Sequence, residues 1–257
     1  MNYFLLEQND HIAIVTMNQP QVLNSFSMEV QKEFLSLLED LENTPSLQGL
    51  IITGAGKAFA AGADIKQMAN MNAGEALEFS RLGNRVFDKI ENFKAVTAAA
   101  INGTALGGGC ELALACDYRL AAVEAKLGQP EINLGIIPGW GGCRRLARLV
   151  GFPTARDLVL GGKIITSTEA LVLKLVDQVV DKTNLIETAV NLMQNLLKNS
   201  PLILRYAKEA LQAGHRLPPD QAAQKEQELF SRCFQTEDQK EGMKAFLEKR
   251  KPDFQGR

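Results

Sequence analysis

Three consecutive glycines, Gly107-Gly108-Gly109, open the apolar run Cys110-Glu111-Leu112-Ala113-Leu114-Ala115-Cys116. A run of small and apolar residues of this kind suits a tightly packed helix whose N-terminus lies at the glycines. Free N–H groups at such a terminus, with the helix dipole behind them, stabilise an anion. Without side chains there, a ligand carbonyl can approach the backbone. A purely structural reading, in which the glycines only permit close packing, stands beside it. The wider stretch Ile101–Glu131 carries two carboxylates in otherwise small and apolar surroundings, Glu111 and Glu131. A buried carboxylate is costly without a partner or a task. Each glutamate taken singly also fits a surface residue, a helix-start charge or half of an ion pair. Glu111 is expected in the first turn of that helix and Glu131 in a loop after a short strand-like piece, so spacing alone does not bring them together. If they converge in an apolar cleft, they titrate as a coupled pair, and one holds a proton near neutral pH.

Around this stretch, strand-like and helix-like patterns alternate. Two runs rich in Ile, Val, Phe and Leu between Tyr3 and Thr16 flank the turn-prone pair Asn9-Asp10, which predicts an antiparallel hairpin at a sheet edge. From Ser27 to Glu42, Val30, Phe34, Leu37, Leu38 and Leu41 recur at helical spacing, with Ser27 as N-cap. Leu47–Thr53 and Ala95–Ile101 read as buried strands, and helices are expected from near Ile65, from Gly74 to Glu91, and through the basic segment with Arg144, Arg145 and Arg148. From Thr168 onward the pattern is mostly helical, broken near Asp177–Val180 and by Pro201, Pro218 and Pro219. Such alternation predicts βαβ units in an α/β core, followed by a helical appendage. The expected division is 1–199 for the core and 200–257 for the appendage, within one functional unit.

Composition removes several function classes. Lys and Arg total 28 against 30 Asp and Glu, with no long run of one sign, so neither a nucleic-acid nor a membrane partner is expected. No Lys or Arg precedes Lys32, which argues against a targeting leader and for a cytoplasmic protein. The uncharged stretch Ala95–Cys110, interrupted by glycines and polar residues, is too short to span a bilayer. Cys110, Cys116, Cys143 and Cys233 form no CxxC pair, and His11 and His215 are the only imidazoles; no metal site is expected, and the cysteines read as reduced, buried small hydrophobes. Gly54-Ala55-Gly56-Lys57 after a strand invites a nucleotide loop. A phosphate loop, however, needs glycine where Ile51 stands and Ser or Thr where Ala58 stands, and a dinucleotide fingerprint needs glycine at Phe59. No serine lies in a GxSxG setting, and the two histidines form no evident triad. Carboxylate chemistry on a polarised carbonyl is the option consistent with the inventory.

Five segments carry a resemblance: Phe59–Lys66 (FAAGADIK), Asn102–Glu111 (NGTALGGGCE), Gly128–Glu131 (GQPE), Leu134–Gly142 (LGIIPGWGG) and Glu237–Phe254 (EDQKEGMKAFLEKRKPDF). Together, and in this order through nearly the whole chain, they resemble the enoyl-CoA hydratase, or crotonase, family. The resemblance implies a crotonase-like spiral of ββα units with a C-terminal helical trimerisation region, assembled as a homotrimer or as a homohexamer built from two trimers. It implies an acyl-CoA thioester substrate and no cofactor beyond the coenzyme A of that substrate. The family's two oxyanion-hole amides fall on Ala63 and Gly108, and the two glutamates of true hydratases fall on Glu111 and Glu131. Water would then be activated by Glu111 and the α-carbon protonated by Glu131, giving 3-hydroxyacyl-CoA from 2-trans-enoyl-CoA. Substrate contacts implied by the family fall on Lys57, Ala61, Asp64, Ile65, Lys66, Gly139 and Trp140, and on Phe246 and Lys249 near the C-terminus. Trp140 stands where relatives often carry a smaller residue, and Cys143-Arg144 where Thr-Gln is common. Whether Trp140 restricts the acyl pocket or packs away from it is open at this level. Two other activities remain in view: 3-enoyl-CoA isomerisation or another lyase step on the same fold, and the RNA binding known in the superfamily. The full glutamate pair argues against the first. The single lysine, Lys32, among the acidic residues of Ser27–Glu42 argues against the second.

Overall fold

In the computed structural model, which describes Met1–Arg257, the Asn9-Asp10 turn joins β1 (Phe4–Asn9) and β2 (Ile12–Met17) as the expected antiparallel hairpin. Asp10 takes a left-handed backbone at φ 49°, which Asp tolerates in tight turns. Helix α1 (Met28–Glu42) begins where Ser27 Oγ accepts the Val30 amide at 3.3 Å. Its apolar stripe, Val30, Phe34, Leu37, Leu38 and Leu41, is buried.

Three strand pairs follow, each passing from one sheet to another before a helix returns the chain. They are β3 (Gly49–Gly54) with β4 (Ala58–Ala60), leading to α2 (Ile65–Met68) and α3 (Ala73–Glu91); β5 (Val96–Ile101) with β6 (Thr104–Leu106), leading to α4 (Gly108–Ala115); and β7 (Tyr118–Ala122) with β8 (Lys126–Gly128). A 3₁₀ turn, Pro130–Leu134, then precedes α5 (Gly142–Val150) and α6 (Phe152–Leu160). After these come β9 (Ile164–Thr166), α7 (Ser167–Val172), β10 (Gln178–Val180), α8 (Leu185–Leu196), α9 (Pro201–Arg216), α10 (Pro219–Cys233) and α11 (Glu237–Leu247). One sheet has the order β1-β2-β3-β5-β7-β10, the other β4-β6-β8-β9. Most neighbours are parallel, with antiparallel pairing at β1–β2 and β8–β9. Each ββα turn thus adds one strand to each sheet, and the second strand of every turn delivers its following loop to the same edge.

The chain forms two compact units, one of Met1–Phe93 with Thr97–Asn191, the other of Lys94–Val96 with Leu192–Arg257. Within the second, Pro201 occupies the first turn of α9 and Ser200 caps it, accepting the Ile203 amide at 3.2 Å. Asp238, buried at the start of α11, accepts from Ser200 Oγ at 2.5 Å and from the amides of Gln255 and Gly256 at 2.7 and 2.8 Å. No helix is long and apolar enough to cross a membrane.

Three local expectations are corrected. The break near Asp177–Val180 is strand β10, which pairs in parallel with β7 through Gln178–Leu120, Val179–Ala121 and Val180–Ala122; three residues are too few to reveal a strand until the partner is known. Glu131, expected in a loop, lies in the Pro130–Leu134 3₁₀ turn, which ends at Gly135 with φ 75°. Cys110 and Cys116 are buried free thiols as expected, but Cys143, on the first turn of α5, is exposed and Cys233 half-buried.

Candidate active site

Helix α4 starts from Gly107 at φ 50°, ψ −122°, a conformation reserved in practice for glycine. The Gly107 amide donates to Gly128 O at 3.0 Å, which ties the helix start to the strand before Glu131. All eight residues of α4 are buried, so its N-terminus is enclosed.

The Gly108 amide has a close companion. An ideal Cβ on Gly62 would lie 3.4 Å from Gly108 N, and one on Gly108 would lie 3.5 Å from Ala63 N. The two amides therefore lie close together, and no backbone carbonyl outside the regular elements accepts from either. Ala63 is held in place from both sides, because Phe26 N donates to Gly62 O at 2.8 Å and Asp64 N to Phe26 O at 2.9 Å. Asn24, buried, donates through Nδ2 to the carbonyls of Ala55, Ala58 and Phe59 at 3.0, 2.9 and 3.1 Å. It shapes the turn that leads to Ala63. Paired backbone donors of this kind suit an oxygen that gains negative charge.

Glu111 occupies the first turn of α4 and is 1% exposed. Its Oε1 accepts from the Trp140 amide at 2.8 Å and the Gly142 amide at 2.7 Å. The peptide that supplies the first donor is held at its other end, where Gly139 O accepts from Ser80 Oγ and Asn84 Nδ2, each at 2.7 Å. Glu131 is also buried. The Gln129 amide, with its nitrogen facing the carboxylate, donates to Glu131 Oε1 at 2.9 Å and Oε2 at 3.2 Å.

The structure brings these groups together. A Cβ on Gly107 would stand 3.0 Å from Glu131 Oε1, and one on Gly142 would stand 3.0 Å from Glu111 Cγ and 2.8 Å from the end of the Gln129 amide. Burial pushes the Glu111 carboxyl up to about 7; the Gly142 amide opposes this, the Glu131 charge adds to it, and the Trp140 amide and Arg145 oppose it. Burial likewise raises Glu131 to about 7. Two mutually repelling carboxyls in one enclosed site favour a state in which one keeps a proton. Cys110 beside them is pushed up to about 12 by burial and by both carboxylates, so it stays a neutral thiol. The Cys143 thiol is also raised, first by burial and then by Glu111 and Glu131.

Trp140 packs inward at 3% exposure. Its ring meets Phe26, Phe79 and Phe87 in edge-to-face contacts with centroids 6.0, 5.2 and 5.6 Å away. A Cβ on Gly83 or on Gly108 would come within 2.3 Å of the indole. The ring therefore fills the space between Gly83 of α3 and Gly108 at the start of α4.

Of the other residues singled out in the sequence, Lys57 is exposed in the turn between β3 and β4, and Ala61 is half-buried before Ala63. Asp64 caps α2, accepting from the amides of Lys66 at 2.9 Å and Gln67 at 3.3 Å, while Ile65 and Lys66 are exposed on that helix. Gly139 contributes its carbonyl to the loop described above. Phe246, 82% exposed, and Lys249, at φ 56°, belong to the helical unit. Sequence reading missed Gln129, Ser80, Asn84 and the part played by Arg145. Gln129 stood inside a quoted motif, and Arg145 looked like one of several helix cations.

The family model described as enoyl-CoA hydratase/isomerase matches residues 7–257. The short-chain-enoyl-CoA hydratase of Clostridium acetobutylicum is 43% identical over 252 residues, covering 98% of this chain and 97% of that protein. The crotonyl-CoA hydratase of Syntrophomonas wolfei is 43% identical over 251 residues, covering 97% and 96%. The crystal structure of an enoyl-CoA hydratase from Bacillus anthracis superposes with a TM-score of 0.94 at 36% identity, covering 99% of this chain and 100% of that one.

Proposed function

This chain belongs to the enoyl-CoA hydratase/isomerase family, and on that premise we propose that it catalyses reversible addition of water to 2-trans-enoyl-CoA, giving 3-hydroxyacyl-CoA. The observation that carries the reading is the meeting of two buried carboxyls, both raised to about 7, with two amides that lie close together. The amides of Ala63 and Gly108 would receive the thioester oxygen. Charge that develops on this oxygen as the enoyl system polarises makes the β-carbon electrophilic, and one such donor is worth about 3–4 kcal/mol of barrier. Glu111, ionised and anchored through Oε1, takes a proton from water as its oxygen adds to the β-carbon. Glu131 delivers a proton to the α-carbon, and dehydration runs the same steps backward. Lys57 and Lys66 are suited to coenzyme A phosphates as mobile point charges. Ala61, Asp64, Ile65 and Gly139 would line the path of the thioester, and Phe246 and Lys249 would reach coenzyme A in an assembled oligomer.

A short acyl chain fits best, since Trp140 fills the volume beside Gly108 and two of the relatives are named for short-chain and crotonyl substrates. Self-association is supported by the exposed apolar residues Leu134, Ile137, Phe152 and Leu160 of the first unit and Phe230, Phe246 and Leu247 of the second. We place the reaction in the cytoplasm, with no metal or redox group required.

The test is purified protein with crotonyl-CoA, read as loss of enoyl absorbance, followed by a panel of longer enoyl thioesters. Turnover highest at four carbons and unchanged by EDTA is expected; no turnover at any length removes the assignment. Conversion of 3-enoyl-CoA to 2-enoyl-CoA as the dominant reaction would favour the isomerase of the same family.

A further inference from the structure

Arg145, on α5, is 4% exposed, unusual for a cation that the reaction does not use. Its Nε and Nη2 meet two carboxylates at the end of α3, Glu91 at 2.9 Å and Asp88 at 2.5 Å. Its Nη1 turns the other way and donates to Trp140 O at 2.7 Å, and its own amide donates to Gly141 O at 2.9 Å. A Cβ on Gly141 would lie 2.3 Å from Nη1, so the guanidinium is tucked against the loop. That same loop presents the Trp140 and Gly142 amides to Glu111 Oε1. Neighbouring Arg144 reaches Asp88 and Glu91 as well, the latter at 3.4 Å, but no hydrogen bond joins its side chain to the loop.

Building on the proposed hydration, we propose that Arg145 is a positioning residue for Glu111: anchored by Asp88 and Glu91, it fixes the 140–142 peptides so that both amides hold Oε1 and the other carboxylate oxygen is aimed at water. Arginine suits the task because its planar fork serves two carboxylates and a carbonyl at once, which an ammonium cannot. Its charge also opposes the rise in the Glu111 pKa. The groups facing Glu111 are Glu131 from the 3₁₀ turn, Cys110 on its own helix, and Cys143 and Arg145 on α5. Those facing Arg145 are Asp88 and Glu91 from α3 and Arg144 beside it. Removing the Arg145 cation and loosening the two amides both favour the protonated form of Glu111. The acid limb of the rate profile must then move to higher pH.

The experiment compares Arg145→Gln, Arg145→Lys and Arg144→Gln in the full chain. It follows kcat, KM and the pH profile with crotonyl-CoA, and separately titrates the Glu111 carboxyl by ¹³C NMR. Arg145→Gln is expected to lower kcat roughly 10- to 100-fold, as small misplacements of a reacting group do. KM should stay within about threefold, and both the acid limb and the carboxyl midpoint should move up. Arg144→Gln should behave like the parent. If Arg145→Gln does not fold, Arg145→Lys keeps the charge near Asp88 and Glu91 without the fork, and its kcat should fall at unchanged KM. The inference is overturned if a folded Arg145 variant keeps the parent kcat and midpoint. It is equally overturned if kcat falls without either pH shift, or if Arg144→Gln loses as much. The NMR arm reads the role of Arg145 even if the parent hydrates no enoyl-CoA, an outcome that would remove the assigned reaction instead.

Discussion

At the scale of single residues, the site rests on two glutamates with similar shifts but different surroundings. Glu111 is gripped by backbone amides, Glu131 by one side-chain amide. Glu111→Gln and Glu131→Gln should each lower kcat by about two orders of magnitude or more, as loss of a general acid or base does, with far-ultraviolet circular dichroism unchanged. Near-parental turnover in either would remove that residue's role. The same shifts carry a stability consequence. Each carboxyl lies above its ordinary value of 4.5, at about 7, so the folded state binds protons that the unfolded chain has released. The stabilisation is fully present below about pH 4.5 and is lost as the pH rises through about 7. Glu111→Gln should therefore raise Tm relative to the parent at pH 8, with the gap closing towards pH 5; equal offsets at both pH values would contradict the shift. Glu111 and Glu131 stood out in the sequence as carboxylates among apolar residues. Gln129 and Arg145 did not, because their significance lies in what they face.

At the scale of elements, the decisive feature is how α4 begins. Gly107 combines a backbone angle of φ 50° with tight surroundings, since a Cβ there would lie 3.0 Å from Glu131 Oε1. A methyl group there meets strain and the Glu131 carboxyl together. Gly107→Ala should reduce both Tm and kcat, the backbone strain alone costing about 1–3 kcal/mol; a variant with parental stability and turnover would show that the angle is not required. Trp140 makes the related point about close approach. Its indole fits only because Gly83 of α3 and Gly108 of α4 lack side chains. The glycine triplet was legible as a helix start open to a ligand, but the second half of that contact, Gly83, lies inside an otherwise ordinary amphipathic helix. The short strands β4, β6 and β9 escaped notice for another reason. Each has three residues, too few for periodicity, and each is defined only by its neighbours.

At the scale of the whole molecule, the exposed apolar side chains are the feature that a lone chain leaves unexplained. Phe246 and Leu247 are 82% and 80% exposed, and the proposed assembly gives them a covering. Light scattering after size exclusion should give a mass of three or six chains. Phe246→Asp with Leu247→Asp should shift it downward and raise KM more than it lowers kcat, if these residues meet coenzyme A across an interface. A monomer with full activity would remove that assembly. Local pattern by itself determined the hairpin, α1 with its Ser27 cap, the buried strands, the glycine-led α4 and the family to which the chain belongs. These follow from short-range forces, namely side-chain periodicity, capping and turn chemistry, and from motifs kept in order. The tertiary structure alone decided that the Glu131 charge bears on Glu111, that the backbones of Gly62–Ala63 and Gly108 lie side by side, and that Arg145 joins α3 to the loop whose amides bind Glu111. Those relations join residues far apart in the chain, and the energies that enforce them, desolvation and convergent hydrogen bonding, exist only after the spiral has closed around the site.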